Sequence, residues 1–443
     1  MIHHLLPRVN MRESTAEARD MSGRVSSKFR LVRILSSSVF FVVLAYIRYE
    51  NMIINATYTR NTKLTRTAPS LRHCTYDELD IIEYQLPPYD CLAYRDAPWL
   101  QKCSISYATR CPDAVWLESH YTKLHSSAKA NSASESTFLA LFVGCNKGFD
   151  ALNAIRMGSN NPVFNKNVWK DAITQHGHMP MHGDVCNEVT HPQFVLSSEN
   201  DTLVKVDGAG GGRVSPSFAQ VHCIEPMPAT ARELQRAASE SNYDKQGFVV
   251  VHAAMAKEDG SVFFPRDVGV GLENMGIGNA DCSKGNSSRC IGVKMYSLDT
   301  YVDTFVPKGI PINYLSVDVE GWDFEVILGG RRSALSRVHY LEFEYNWVGP
   351  WKKQPLSEVI EYLDRQFGFT CYWAGFNNTI WRITNCWLDY YEAHFWSNIA
   401  CVNRNIEDVQ DIADNMERLF METLDKGDEA VRDFGRRFRR SAG

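Results

Sequence analysis

The sequence predicts an α/β fold: a doubly wound, mostly parallel sheet carrying an antiparallel C-terminal hairpin. Three observations support this. Apolar runs rich in strand-forming residues recur at Thr137–Val143, Val221–Ile224, Phe248–Met255, Ile312–Val319 and Val338–Tyr345, as expected of strands buried on both faces. Segments of helical character separate them, and strands alternating with helices imply parallel pairing. Phe369–Trp373 and Thr379–Thr384 are joined by Ala374-Gly-Phe-Asn-Asn378, a short glycine-containing connection typical of a hairpin.

Taken in order, the first strand ends in Gly144-Cys-Asn-Lys-Gly148 and enters a helix over Asp150–Met157. The second ends at Glu225 and passes through Pro226 and Pro228 into a helix over Ala229–Glu240, where a proline in the first turn sacrifices no hydrogen bond. A helix over Leu356–Phe367 precedes the hairpin. Between the first helix and the second strand lies an insertion, 158–220, too long for an ordinary connection. Its His176, His178, His182, Cys186 and His191 are metal-ligating residue types. Their spacing matches no standard site, so the expectation is a solvated or substrate-covering loop and no metal. Near the C-terminus, Ile406, Val409, Ile412, Met416, Phe420 and Leu424 fall at helical spacing, the pattern of a docked amphipathic helix. Residues 401–443 thus read as a C-terminal helix and a basic tail ending in Arg436-Arg-Phe-Arg-Arg440.

The N-terminal third reads differently. Residues 1–33 are polar and basic, as in a disordered cytoplasmic tail. Residues 34–47 carry no charge and follow Arg24, Lys28, Arg30 and Arg33, which predicts a single signal-anchor helix with the N-terminus cytoplasmic. A cleaved signal peptide competes, because the run is shorter than the roughly 20 residues that span a bilayer comfortably. Residues 48–136, with cysteines and prolines, then form a lumenal stem or cap, and 137–400 the principal domain. Glycosylation acceptors at Asn55, Asn200, Asn286 and Asn377 and an even count of 12 cysteines favour the secretory pathway, in the Golgi or endoplasmic reticulum lumen. Cys282 and Cys290, flanking Asn286, are the first expected bridge. A formal net charge of -5 gives no electrostatic reason to expect a nucleic-acid partner.

The chemistry is expected beyond the carboxyl ends of the strands, where open α/β sheets bind ligands. Gly144, Asn146 and Gly148 lie between a strand and a helix, where glycine permits close backbone approach to a ligand and helix amides point outward. Glu225, ending the second strand, is placed to accept hydrogen bonds from both ribose hydroxyls of a nucleoside. His252 and Ala253, with Ala254, offer small residues beside a polar one for a purine edge, although His252 reads equally well as a core histidine. Asp318 and Glu320 end the most strongly apolar strand, the first as a proton acceptor or a partner for a cationic group, the second to orient an acceptor. Glu342 and Glu344 alternate with apolar residues and share a face. Glu344, nearer the carboxyl end, is the stronger site candidate.

The ordered series Phe142-Val-Gly-Cys-Asn-Lys-Gly148, Cys223-Ile-Glu-Pro226, Ala253-Ala-Met-Ala-Lys-Glu-Asp-Gly260, Tyr296-Ser-Leu-Asp-Thr-Tyr301, Leu315-Ser-Val-Asp-Val-Glu-Gly321 and Leu341-Glu-Phe-Glu344 resembles the FkbM-type methyltransferases, over roughly Thr137 to Ala400. The resemblance implies a class I, Rossmann-like methyltransferase using S-adenosylmethionine, held by the first loop and Glu225. It also implies O-methylation of a hydroxyl-bearing acceptor, a glycan or a small molecule. Two positions depart from the family pattern: Phe142 stands where an Asp is usual, and Ser316 where a Lys is frequent.

Two other functions fit part of the pattern. A signal anchor, a stem and Asp318-Val-Glu320 also describe a lumenal glycosyltransferase, which would need a divalent metal on its nucleotide phosphates. Phe142 motivates the other, a catalytically inactive binding protein.

Overall fold

An eight-stranded sheet organises the chain from residue 137 onward. The computed structural model describes residues 71–86, 114–130, 137–175, 218–266, 269–272, 277, 282, 289–374, 379–392, 394 and 397–441. Residues 1–66 and 67–443 form separate units, and every described residue lies in the second. The expected tail, the anchor at 34–47 and the histidines and cysteine of the insertion lie outside the described residues. Among the described residues no helix is long and apolar enough to cross a membrane.

The elements in order are α1 (Tyr76–Gln85), α2 (Glu118–Ala130), β1 (Thr137–Val143), α3 (Phe149–Ser159), α4 (Lys166–Thr174), β2 (Phe218–Glu225), α5 (Pro228–Glu240), β3 (Phe248–His252), β4 (Ala254–Ala256), β5 (Gly260–Pro265), β6 (Cys290–Ser297), α6 (Leu298–Phe305), β7 (Ile312–Val317), α7 (Asp323–Leu328), β8 (Val338–Tyr345), α8 (Leu356–Phe367), β9 (Phe369–Ala374), β10 (Ile380–Arg382), β11 (Ser397–Asn403) and α9 (Gln410–Ser441). The main sheet has the order β10-β9-β11-β8-β7-β1-β2-β3, and β4-β6-β5 form a small second sheet. Strands β3, β2, β1, β7 and β8 are mutually parallel, whereas β11 runs antiparallel to both β8 and β9.

This order places β1 between β2 and β7. The chain leaves β1 for β2 and β3 on one side, then returns to β7 and β8 on the other. That reversal is the topological switch point, where a crevice opens beyond the strand ends. Register fixes what shares a row: Phe142 lies opposite Cys223 and Ser316, and Ser316 lies opposite Glu342. β1 is buried from Phe138 to Val143, which explains its unbroken apolar sequence.

Several expected boundaries change. The third run is not one strand: His252 ends β3 in the main sheet, and after Ala253 the chain enters the small sheet as β4. The fourth ends at Val317, because the Asp318 amide donates to Val143 O (2.9 Å) and the chain then turns. The hairpin β9–β10 forms the antiparallel edge, but β11 lies between it and β8. The insertion does not begin as a loop. Residues 166–174 fold as α4, whose Asn165 cap accepts from the amides of Asn167 and Val168 and whose Trp169, Ala172 and Ile173 are buried.

Four disulfides join described cysteines: Cys74–Cys386, Cys145–Cys223, Cys282–Cys290 and Cys371–Cys401. The expected Cys282–Cys290 bridge is among them. Cys91, Cys103, Cys111 and Cys186 lie outside the described residues.

Candidate active site

The loop after β1 is fastened to both neighbouring strands. The amides of Gly144 and Cys145 donate to Ile224 O (3.0 and 3.2 Å) on β2, while Val143 O accepts from Asp318 beyond β7. Gly144 has φ +85°, and a Cβ there would lie 1.6 Å from Asp318 O, so only glycine fits. Asn146 adopts φ 46° and Gly148 φ 75°, left-handed conformations that Asn and Gly tolerate best. Trp169 from α4 supports the loop from below: its indole N–H donates to Lys147 O at 2.9 Å, and its ring lies against Gly148.

Glu225 ends β2 on this side of the switch point. One carboxylate oxygen accepts from the Asn146 amide (2.9 Å) and the other from the Met227 amide (2.8 Å). The first bond ties loop to strand, and the second satisfies an amide entering α5. Burial pushes the carboxyl up to about 7, against the opposing pull of these two amides. Each oxygen keeps a lone pair for a further donor. Nearby, Asn146 Oδ1 is buried and has no hydrogen-bond partner.

His252 is exposed at the end of β3, with Nε2 3.2 Å from Pro226 O, so the core reading of this histidine is wrong. Ala253 is buried. His252 ends the strand paired with the one that ends in Glu225, opposite Glu225 in register, and Ala253 follows it.

Across the switch point, four acids gather. Asp318 is exposed just beyond β7, Glu320 is half-buried with φ 57°, and Glu344 on β8 is 8% exposed. Burial, followed by the charges of Asp318, Asp323 and Glu320, holds the Glu344 carboxyl well above the ordinary carboxylate range. Glu344 is therefore the member of the group that most readily keeps a proton at neutral pH.

Asp323, fully buried, was not singled out by the sequence. Its oxygens accept from the amides of Val319 (3.4 Å) and Gly321 (3.1 Å) and from the indole of Trp351 (3.1 Å). It thereby holds the turn that carries Glu320. Gly321, at φ 92°, would place a Cβ 2.4 Å from Val348 O, so this turn is pressed against the segment after β8. Asn346 was also missed: its Nδ2 donates to Glu344 (2.6 Å), and its Oδ1 accepts from the Val348 amide (2.8 Å).

Phe142 is buried, with its ring centroid 5.1 Å from that of Tyr314. Tyr314 and Tyr340 both donate to Glu342 (2.9 Å each). An aromatic and tyrosine-bound layer thus underlies the acids.

Residues 197–371 match the family model described as Methyltransferase FkbM domain. No curated protein and no solved structure matches the chain. That match is a narrower stretch than the six motifs imply. Glu225, His252, Ala253, Asp318, Glu320 and Glu344 fall inside it. Gly144, Asn146 and Gly148 fall outside, N-terminal to it in sequence, yet Asn146 is bonded to Glu225 in the fold.

Proposed function

We propose that the chain is an S-adenosylmethionine-dependent O-methyltransferase acting on a hydroxyl-bearing acceptor, a sugar, a glycan or a small hydroxylated molecule. We also propose that residues 34–47 anchor it as a single-pass protein with the catalytic unit in the Golgi or endoplasmic reticulum lumen. The observation that carries the enzymatic reading is the hydrogen bond between Asn146 and Glu225 at the switch point, where a strand inside the FkbM match meets the glycine loop outside it.

The residues present fit the cofactor. Glu225 has spare acceptor capacity for ribose hydroxyls, and the buried Asn146 Oδ1 is an acceptor still to be satisfied. Gly144, Asn146, Gly148 and Glu225 would hold it, with His252 and Ala253 flanking its base. Bound there, its sulfonium supplies the methyl group. Asp318, an exposed acid whose backbone lies against Gly144, takes the proton from the acceptor hydroxyl. Glu320 orients that acceptor, and Glu344, holding its proton, donates a hydrogen bond to it. Fixing the two reactants in one geometry supplies much of the rate.

The experiment is a methyl-transfer assay on the full chain across free glycans, lipids and small hydroxylated molecules, with sugar nucleotides plus a divalent metal as a parallel arm. Methylation of a hydroxyl supports the reading, and sugar transfer alone would replace it with the glycosyltransferase. A second reading, a binding protein without turnover, is favoured by Phe142, which puts an aromatic ring where the family resemblance leads one to expect a carboxylate.

A further inference from the structure

The glycine loop is joined to the FkbM segment by more than hydrogen bonds. Cys145, the second residue of the loop, is disulfide-bonded to Cys223 on β2, with Cα atoms 5.2 Å apart and a separation of 78 in sequence. Cys223 lies inside the family-matched segment and Cys145 outside it. The bridge thus spans the insertion and clips the loop to the strand that ends in Glu225.

Its position bears on the site directly. Cys145 stands between Gly144 and Asn146, both of positive φ, and Cys223 stands two residues before Glu225. The hydrogen bonds from Gly144 and Cys145 to Ile224 O, and from Asn146 to Glu225, surround the bridge on the same pair of segments. A short loop held in left-handed conformations, with a long insertion following it, loses entropy each time a ligand has to order it. Ordering it in advance removes that cost from binding.

We infer that the Cys145–Cys223 disulfide is a positioning element of the cofactor pocket, locking the Gly144–Gly148 loop against β2 so that tight cofactor binding requires the oxidised pair. This rests on the methyltransferase reading above. Cys223 is fully buried and Cys145 partly exposed, so a low-molecular-weight thiol reaches the bridge through Cys145. Its thiolate attacks Cys145 Sγ, forming a mixed disulfide and expelling the Cys223 thiolate, which takes up a proton. A second thiolate attacks the small-molecule sulfur of the mixed disulfide and releases Cys145. Two thiols leave as one disulfide, and the protein pair gains two electrons and two protons.

The test is calorimetric titration of S-adenosylmethionine into the oxidised full chain, the double variant Cys145→Ala/Cys223→Ala, and the control Cys371→Ala/Cys401→Ala, which loses a bridge between β9 and β11. The expected result is a Kd raised about tenfold or more in the first variant and unchanged in the control, with faster hydrogen exchange at residues 144–148 confined to the first. Should the double alanine variant fail to fold by circular dichroism, Cys145→Ser, which leaves β2 intact, takes its place with the same expectation. Wild-type affinity in a folded variant lacking the bridge overturns the inference and leaves the cofactor reading standing. Absence of binding by the folded, oxidised wild type overturns both.

Discussion

Gly144 and Asp318 meet backbone to backbone: a Cβ on Gly144 would stand 1.6 Å from the Asp318 carbonyl oxygen, and the Asp318 amide bonds Val143 O at 2.9 Å. The glycine loop and the acid turn are therefore one mechanical unit. Gly144→Ala must move one of them. A non-glycine residue at positive φ costs about 1–2 kcal/mol before the clash is counted, so the variant is expected to melt at a lower temperature and to lose cofactor binding. Calorimetric melting and titration of the same sample check both.

Glu225 gives a pH dependence. Its carboxyl is pushed up to about 7, so it is largely protonated at pH 6 and ionised at pH 8. The ionised form accepts more hydrogen bonds. Affinity for S-adenosylmethionine is expected to rise between pH 6 and pH 8, and Glu225→Gln to bind about tenfold more weakly with that rise removed. Titrations at the two pH values decide this.

Asp323 makes a separate contribution to stability. Burial pushes its carboxyl up to about 7, against an ordinary value of about 3.9. Folding thus favours the protonated form, and the contribution is full below about pH 4 and lost as pH rises through 7. Urea midpoints between pH 5 and pH 8 should fall less steeply in Asp323→Asn than in the wild type. Asp323→Ala strands the Val319 and Gly321 amides and the Trp351 indole, at about 1–3 kcal/mol for each buried donor left unpaired.

The acids Asp318, beyond β7, and Glu344, near the end of β8, are expected to separate kinetically. Asp318→Asn should lower kcat by about 10²–10⁴, the range of general base catalysis, with little change in cofactor affinity. Glu344→Gln keeps a hydrogen-bond donor and should cost far less. Equal losses in the two variants would contradict the assignment of Asp318 as the base.

Much of this architecture was legible in the sequence, because strands buried on both faces announce themselves as unbroken apolar runs, as in Phe138–Val143. Strand β6 was not, since Val293 is buried while Gly292 and Lys294 are exposed, and a half-exposed strand carries a weaker signal. Helix α4 was readable from Asn165 followed by Trp169, Ala172 and Ile173, but the polar insertion around it obscured the pattern. Gly144, Asn146 and Glu225 could be singled out because each ends or follows a strand. Asp323 and Cys145–Cys223 could not, because a partner of each is set by tertiary contact: Trp351 lies 28 residues from Asp323, and Cys223 lies 78 from Cys145.

The central claim is that the loop and Glu225 form a cofactor pocket. Its most direct measurement is calorimetric titration of S-adenosylmethionine into the folded, disulfide-bonded full chain. Saturable binding at one site per chain, weakened in Glu225→Gln, is the expected result. A folded sample that gives no binding heat, and no ligand-induced rise in melting temperature, would contradict it.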